Sequence, residues 1–278
     1  MRKSSIIGLL VFALFTFVAC GSDNDAGAQG TGTQEPPRTQ NESSETTPPT
    51  AQATTASITI AGEQFSTDLT RLDLPRMGLT SEDIIPLRYM VNLTHLDLMA
   101  NQIDDISPLA NLTNLVELSL WFNPIADITP LAGLTNLESL RLSNIATSDI
   151  SPLAGLTNLT GLALAGNQID DISPLARLVN LEDLYLGNNQ ISDISPLAEL
   201  VNLRSLGMPY NEIEDISVLA GLGGFSDGLW LNNNQISDIS PLYGLNIWLL
   251  EISRNQIEDF SPIDHLSSSR VFRSGQRR

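Results

Sequence analysis

Leucine recurs at a fixed interval along most of the chain. The spacing is 22 residues in the series Leu93, Leu115, Leu137, Leu159, Leu181 and Leu203. Each of these leucines opens a unit of the form L-x-x-L-x-L-x-x-N-x-I-x-D-I-S-P-L-x-x-L. The L-x-L segment alternates with the period of two expected of a strand that has one buried face. Such a repeat predicts a solenoid, because a single unit cannot bury its own apolar face and must stack on its neighbours.

The polar residues of the unit predict its turns. Ser followed by Pro is the usual pairing of an N-cap with the first helical residue, so a short helical turn is expected to start at each S-P pair. The Asn of each unit follows the strand at the inside of a turn. Its amide is predicted to bond backbone groups of its own coil and the next. This series comprises Asn101, Asn123, Asn167, Asn189, Asn211, Asn234 and Asn255.

An aspartate also recurs once in each unit. Carboxylates stacked about 5 Å apart repel one another, so each is expected to accept backbone N–H bonds or to stay solvated. The series comprises Asp105, Asp127, Asp149, Asp171, Asp193, Asp215, Asp238 and Asp259. Calcium binding by this column is an open alternative, although a hard cation requires about six or more converging oxygens and the spacing spreads them out.

From about Leu69 to Leu266 this pattern resembles the internalin-type leucine-rich repeats of bacterial surface proteins. The resemblance implies an α/β fold, namely a curved right-handed solenoid. A parallel sheet would form its concave face, and short 3-10 or helical turns would form its convex face. We assign 58–92 to an N-terminal cap with an atypical first repeat, 93–266 to the repeats, and 267–278 to a basic C-terminal tail.

Two units depart from the pattern. In one of them Ile145 occupies the Asn position and Asn144 comes one place early, which predicts a local bulge. The segment from Gly221 to Trp230 contains one additional residue and the following unit lacks one, so the register of the later strands is expected to slip by one.

The first 19 residues have the layout of a secretory signal. Arg2 and Lys3 precede an apolar run that extends from Ile6 to Val18 and is followed by the small residue Ala19. The alternative, a transmembrane helix, requires about 20 apolar residues, and this run is shorter. The export signal also argues against an intracellular regulatory role, which is another use of similar repeats.

Cys20 is the only cysteine of the chain and lies in the stretch FVACGS. This stretch resembles the lipobox of bacterial lipoproteins, although Phe17 stands where that family prefers Leu or Val. The resemblance implies that Cys20 is lipidated with fatty acyl and diacylglyceryl chains, which would anchor the protein outside the cytoplasm. Residues 20–57 contain no Leu, Ile, Val or aromatic residue from Gly21 onward, which predicts a disordered tether.

Charge and residue chemistry narrow the possible functions. The chain has 32 Asp plus Glu against 14 Lys plus Arg, a net charge of −18, which disfavours nucleic acid as a partner. The string NQIDDISPLA occurs at 101–110 and again at 167–176. Its paired carboxylates therefore belong to a repeated turn rather than to an active site. Since no nucleophile–base pair, phosphate loop or metal-ligand spacing is found, we expect neither an enzyme nor a bound cofactor.

Function is therefore expected at the positions that vary between coils and face outward from the sheet. Rigid aromatic side chains are favoured at protein interfaces, although aromatic residues can also pack on one another along a sheet. The candidates are His95, Asp97, Glu117, Trp121, Phe122, Arg141, Asp183, Tyr185, Tyr210 and Trp230. Small residues at Gly161 and Ala163 are predicted to leave a shallow gap between the aromatic groups. We expect a monomer that binds a protein or a surface glycan here; a spacer of the cell envelope without a specific ligand is the alternative.

Overall fold

The structure is a computed structural model, and it describes residues 56–267 and 271–272. The predicted signal peptide, Cys20, almost all of the tether and most of the basic tail lie outside the described residues. Within 56–267 and 271–272, no helix is long and apolar enough to cross a membrane.

Twelve strands are present among the described residues. They are β1 Ser57–Ile60, β2 Glu63–Ser66, β3 Arg71–Asp73, β4 His95–Asp97, β5 Glu117–Ser119, β6 Ser139–Arg141, β7 Gly161–Ala163, β8 Asp183–Tyr185, β9 Ser205–Gly207, β10 Gly228–Trp230, β11 Leu250–Glu251 and β12 Val271–Phe272. Strands β3 to β12 form one ten-stranded parallel sheet in sequence order, and β1 and β2 form a separate antiparallel hairpin. One coil per strand and a parallel sheet confirm the predicted leucine-rich-repeat solenoid.

Short 3-10 turns form a second row, away from the sheet. They span Ile85–Tyr89, Ser107–Leu109, Thr129–Leu131, Ser151–Gly155, Ser173–Arg177, Ser195–Leu197, Ser217–Gly221, Ser240–Leu242 and Ser261–Ile263. The core lies between the two rows. It is a single cluster that extends from Ile58 to Ile263, and the repeated leucines and isoleucines are almost completely buried in it.

The repeated asparagines join neighbouring coils. The side-chain oxygen of Asn167 accepts a bond of 3.0 Å from the Ile145 amide, and its nitrogen donates to the carbonyls of Leu142 and Leu164 at 2.9 Å. The same arrangement recurs at the other asparagines of the series. The predicted structural role is confirmed, with one correction: the second coil that each asparagine bonds is the preceding one, not the next.

In the unit that lacks this asparagine, an apolar residue stands at the polar position and a polar residue stands at the apolar one. Ile145 is fully buried at the Asn position, and Thr147 is fully buried at the place that Ile occupies elsewhere, where its hydroxyl donates to the Ala126 carbonyl at 3.1 Å. Asn144 is not a displaced member of the series. It has φ +55, as does Ala100 at the equivalent position. The predicted irregularity is instead confined to Ala146 with φ +67, and the pairing of β6 with both neighbours continues unbroken.

The aspartates cap the 3-10 turns. The Ser107 amide donates to Asp105 Oδ1 at 2.7 Å, and the Ser107 hydroxyl donates to Oδ2 at 3.1 Å. The prediction that Ser would be the N-cap is therefore wrong: Ser107 is the first residue of its turn, and the carboxylate two places earlier supplies the cap. Equivalent bonds occur in every later unit. Bonds of this kind from Ser195 hold the pKa of Asp193 below its usual value.

A second asparagine row was missed in the sequence. Asn158 donates to the Thr135 carbonyl of the preceding coil at 2.9 Å, on the exposed side of the turn that leads into the strand. The same bond is made by Asn114, Asn136, Asn180 and Asn202. The 22-residue spacing of these asparagines was the available signal.

The additional residue between Gly221 and Trp230 is accommodated in a bulge. Phe225 is fully buried there and forms an isolated parallel bridge with Ile247. Gly224 has φ +109, and a side chain on it would approach the Asn246 carbonyl oxygen to 2.8 Å, so only glycine fits without a shift. The predicted slip of register is confirmed, since Leu229 pairs with Leu206 at a separation of 23 residues.

We predict that Asn167→Ala lowers the free energy of unfolding by about 3 kcal/mol, because it leaves buried backbone groups in two coils without their partner. Urea denaturation followed by circular dichroism measures this loss. Gln168→Ala, at the exposed neighbouring position, is the matched control and is expected to change stability by less than about 0.5 kcal/mol. Equal stabilities of the two variants would contradict a structural role for the asparagine series.

Candidate interaction surface

In strands β3 to β10 the first and third residues face away from the core, while the leucine between them is buried. Strand pairing aligns these outward positions into two rows. One row is Arg71, His95, Glu117, Ser139, Gly161, Asp183, Ser205 and Gly228. The other row is Asp73, Asp97, Ser119, Arg141, Ala163, Tyr185, Gly207 and Trp230. We call this side of the sheet the open face.

Seven of the ten candidate residues lie in these strands, and three do not. Trp121 follows the end of β5 by two residues, and Phe122 and Tyr210 lie in the turns beyond the strands with φ +57 and +56. Four of the five candidates among Phe, Tyr and Trp consequently form two separate pairs instead of one patch, and Tyr210 belongs to neither pair. The ring centroids of Trp121 and Phe122 are 5.4 Å apart, and those of Tyr185 and Trp230 are 6.5 Å apart. The coils of β6 and β7, with Arg141, Gly161 and Ala163, lie between the pairs.

The β3 to β6 part of the open face is a polar depression with charges of both signs. His95 Nε2 lies 3.5 Å from Glu117 Oε1, and Arg71 Nε lies 3.1 Å from Asp73 Oδ2. Ser119 lines the same depression, as does Arg141. The hydroxyl of Ser119 is buried and has no hydrogen-bond partner in the described part of the chain. Sequence reasoning missed Arg71 and Asp73 because the first coil departs from the repeat pattern.

The β8 to β10 part carries the second aromatic pair, and glycines make room for it. Tyr185 and Trp230 lie two strands apart, with Gly207 between them in the same row. A Cβ on Gly207 would lie 2.9 Å from Tyr185 Cδ1, and one on Gly228 would lie 2.5 Å from Trp230 Cη2. Both rings therefore lie across the sheet over glycine positions. The Tyr185 hydroxyl is also within 2.7 Å of Ser205 Oγ.

A charged network borders this aromatic pair. Arg204 Nη1 lies 3.3 Å from Glu182 Oε2, and Arg204 Nη2 lies 3.4 Å from Asp227 Oδ2. Burial raises the pKa of Asp183, and the negative charge of Asp227 raises it further. Sequence reasoning identified Asp183 but missed the other three residues, which precede the strands. Glu182 and Arg204 are 22 residues apart, so the repeat period could have identified them as neighbours. Asp227 could not be found in this way, because the inserted residue moves it out of the 22-residue register.

The paired aspartates of the repeated turn lie away from the open face. Asp104 accepts a bond from the Ser81 hydroxyl, and Asp105 caps its own turn. Among the described residues, no group of three or more His, Cys, Asp or Glu side chains is placed to hold a metal ion. The structure thus adds no support for calcium binding by the aspartate column.

Comparison with known proteins identifies the class of this solenoid. Overlapping matches to the family described as leucine rich repeats (2 copies) cover 91–133, 113–155, 135–177, 157–199 and 179–221. No curated protein sequence matches the chain. A leucine-rich-repeat protein of Leptospira interrogans, 23% identical with a TM-score of 0.51, covers 67% of this chain and 55% of its own length, and shows the fold alone.

Two solved structures from Listeria monocytogenes are more similar. An internalin (InlF) is 33% identical over 77% of this chain and 70% of its own, with a TM-score of 0.63. Internalin C2 is 37% identical over 76% of this chain and 84% of its own, with a TM-score of 0.59. The chain therefore belongs to the internalin-type family of leucine-rich-repeat proteins, as the repeat pattern indicated.

We predict that Asp183→Asn raises the melting temperature at pH 7 by about 1 to 2 °C, a small change for a domain of this size. The pKa of Asp183 in the folded chain is raised above the ordinary value of 3.8, so its ionised form destabilises the fold at neutral pH. This cost disappears as the pH falls through the raised pKa of Asp183. The melting curves of the parent and of the Asp183→Asn variant should therefore coincide at pH 3. Glu138→Gln, an exposed carboxylate one residue before β6, is the control. A variant less stable than the parent at pH 7 would contradict the prediction.

Proposed function

We propose that this protein is held at a membrane outside the cytoplasm and binds another protein through the open face. The observation that carries the proposal is a division of roles within each coil. The buried leucines, isoleucines and asparagines repeat almost without change, whereas the outward positions range from Gly161 to Trp230. Packing fixes the first group, so differences between coils are available for recognition of a partner.

The size of the open face supports this role. Ten strands spaced about 4.8 Å apart make a sheet about 43 Å long, which is enough for a standard interface of about 800 Å² per partner. Aromatic residues such as Trp121 and Tyr185 are the side chains that contribute most to binding at such interfaces. Internalin-type repeats are in general protein-interaction modules, and solenoids present extended surfaces of this kind.

The membrane anchor is proposed from the sequence. A short apolar run preceded by Arg2 and Lys3 and followed directly by the single cysteine is the arrangement of a lipoprotein signal. Acyl chains on Cys20 would hold the solenoid at a membrane without spanning it. The tether of residues 20–57 would set its distance from that surface, with a reach of about 30 to 37 Å for a flexible coil of this length.

Photo-crosslinking on intact cells tests the open face. Lys3 is the only lysine, so amine reagents are unsuitable, and a photo-reactive amino acid placed at Ala163 would report on the gap between the aromatic pairs. We predict crosslinked products for the parent chain and their loss, by about tenfold or more, in a triple variant with Trp121, Tyr185 and Trp230 each changed to Ser.

The matched control changes Tyr89 and Tyr243 to Ser. These tyrosines are 63% and 77% exposed, but Tyr89 is the last residue of one 3-10 turn and Tyr243 directly follows another, so the crosslinks should persist. Circular dichroism verifies that all variants are folded. Crosslinks unchanged by the triple variant would favour the spacer function instead.

Mass spectrometry of the mature protein tests the anchor. We predict an N-terminal peptide that begins at Cys20 and carries the added mass of a diacylglyceryl and a fatty acyl group. Cys20→Ser should move the protein from the membrane fraction to the soluble fraction, because the acyl chains can no longer be attached at residue 20. Mature protein that retains Met1 and an unmodified Cys20 would overturn the anchor.

A further inference from the structure

We propose that Tyr185, Trp230, Asp183 and Asp227 form a subsite for a lysine or arginine side chain, presented by a basic segment of the protein partner. The inference rests on the proposed function and narrows the chemistry of its partner.

The aromatic pair forms the floor of the subsite. The rings of Tyr185 and Trp230 are inclined by 46°, with centroids 6.5 Å apart, so they do not stack on each other. Gly207 and Gly228 leave the sheet bare where these rings lie, and any side chain there would displace them. Ring faces accessible from solvent attract a cation that lies within about 6 Å of the ring centroid.

The charges beside the rings select a cation. Asp183 lies two residues before Tyr185 on the same side of β8, and Asp227 directly precedes β10. Glu182 and Glu251 add two more carboxylates, and Glu251 pairs with Trp230 across the sheet. Among the described residues, Arg204 is the positive group bonded within this network, and it is already engaged by Glu182 and Asp227. The region thus has a surplus of negative charge, which attracts a cationic segment and repels an acidic one.

Asp183 gives the subsite a further preference for a full positive charge. It is half-buried, and both burial and the neighbouring carboxylates disfavour its ionised form. A cationic side chain bound beside it would supply the counter-charge that the fold itself does not complete, since Arg204 is shared with two other carboxylates. An uncharged apolar side chain could contact the rings but would leave Asp183 more deeply buried and still without a full counter-charge.

The other aromatic pair offers no equivalent site. Trp121 and Phe122 lie just beyond β5, in the coil that precedes the one carrying Arg141, and their ring centroids are 5.4 Å apart. In the strands of that part of the open face, Glu117 Oε1 already lies 3.5 Å from His95 Nε2. Trp121 therefore serves as an internal reference in a test of the cation subsite.

Indole N–H signals in NMR spectra of the full chain provide that test. The three tryptophans, Trp121, Trp230 and Trp248, give three such signals. The probe is a short capped peptide of alternating glycine and lysine, compared with the same peptide in which norleucine replaces lysine. We expect the Trp230 signal to shift and saturate with the lysine peptide, to respond little to the norleucine peptide, and to lose the response at high salt. The Trp121 signal should stay in place.

The variant that decides the matter is Asp183→Asn combined with Asp227→Asn. It preserves the shape of both side chains and is expected to raise the Kd of the lysine peptide about tenfold, as removal of two charge partners beside an aromatic site should. The matched control, Glu199→Gln with Glu212→Gln, changes two exposed carboxylates outside the strands of the open face and should leave the Kd unchanged. An equal response to both peptides, no response to either, or an unchanged Kd in the first variant would each overturn the subsite.

The outcome is separable from that of the proposed function. If the aromatic triple variant loses its crosslinks on cells and the Asp183 and Asp227 double variant retains them, the open face binds a partner but the cation subsite is wrong. If the lysine peptide binds at Trp230 while no variant of the open face changes the crosslinks, the subsite stands and the proposed function falls.

Discussion

Each coil turns sharply after a strand of only two or three residues, and the turn places backbone N–H and C=O groups inside the molecule. An asparagine amide bonds those groups in its own coil and in the coil before it, as Asn167 does with Leu142, Leu164 and Ile145. Leucine packing alone could not stack the coils, since buried backbone groups without partners would cost more than the added apolar contact returns. In the seven coils that carry the asparagine this bond supports the stacking, and in the coil of β6 the buried hydroxyl of Thr147 bonds the preceding coil instead.

The same constraint explains how much the sequence could predict. Strands, core positions and the role of Asn101 followed from a period of 22, because they are set by the coil alone. The cap was assigned to Ser107 in error, since Ser107 is itself inside the turn and donates its amide to the carboxylate of Asp105, two residues earlier. The second row, represented by Asn158, was missed because its bond joins two coils on the exposed side and leaves no mark on hydrophobic periodicity.

Less of the candidate site could be predicted, for a reason of geometry. The outward positions were correct within the strands, but Phe122 and Tyr210 adopt positive φ beyond them and do not align with Tyr185. The charged network around Arg204 involves residues before the strands, and the inserted residue moves Asp227 out of the 22-residue register. The most irregular coil thus leads into β10, which carries Trp230 of the second aromatic pair.

The exchange between Ile145 and Thr147 bears on how such arrays can be rebuilt. If position 145 kept isoleucine and position 147 carried the usual isoleucine, the turn would lose the asparagine amide and would gain no other polar group in its place. Threonine without the isoleucine would put a hydroxyl into the core in place of an apolar group. Positions 145 and 147 are therefore coupled. A chimera that takes one of these residues from a regular repeat and keeps the other would be less stable than either parent repeat. Repeats of this kind are exchangeable as whole units, with their boundaries placed between coils, but not residue by residue.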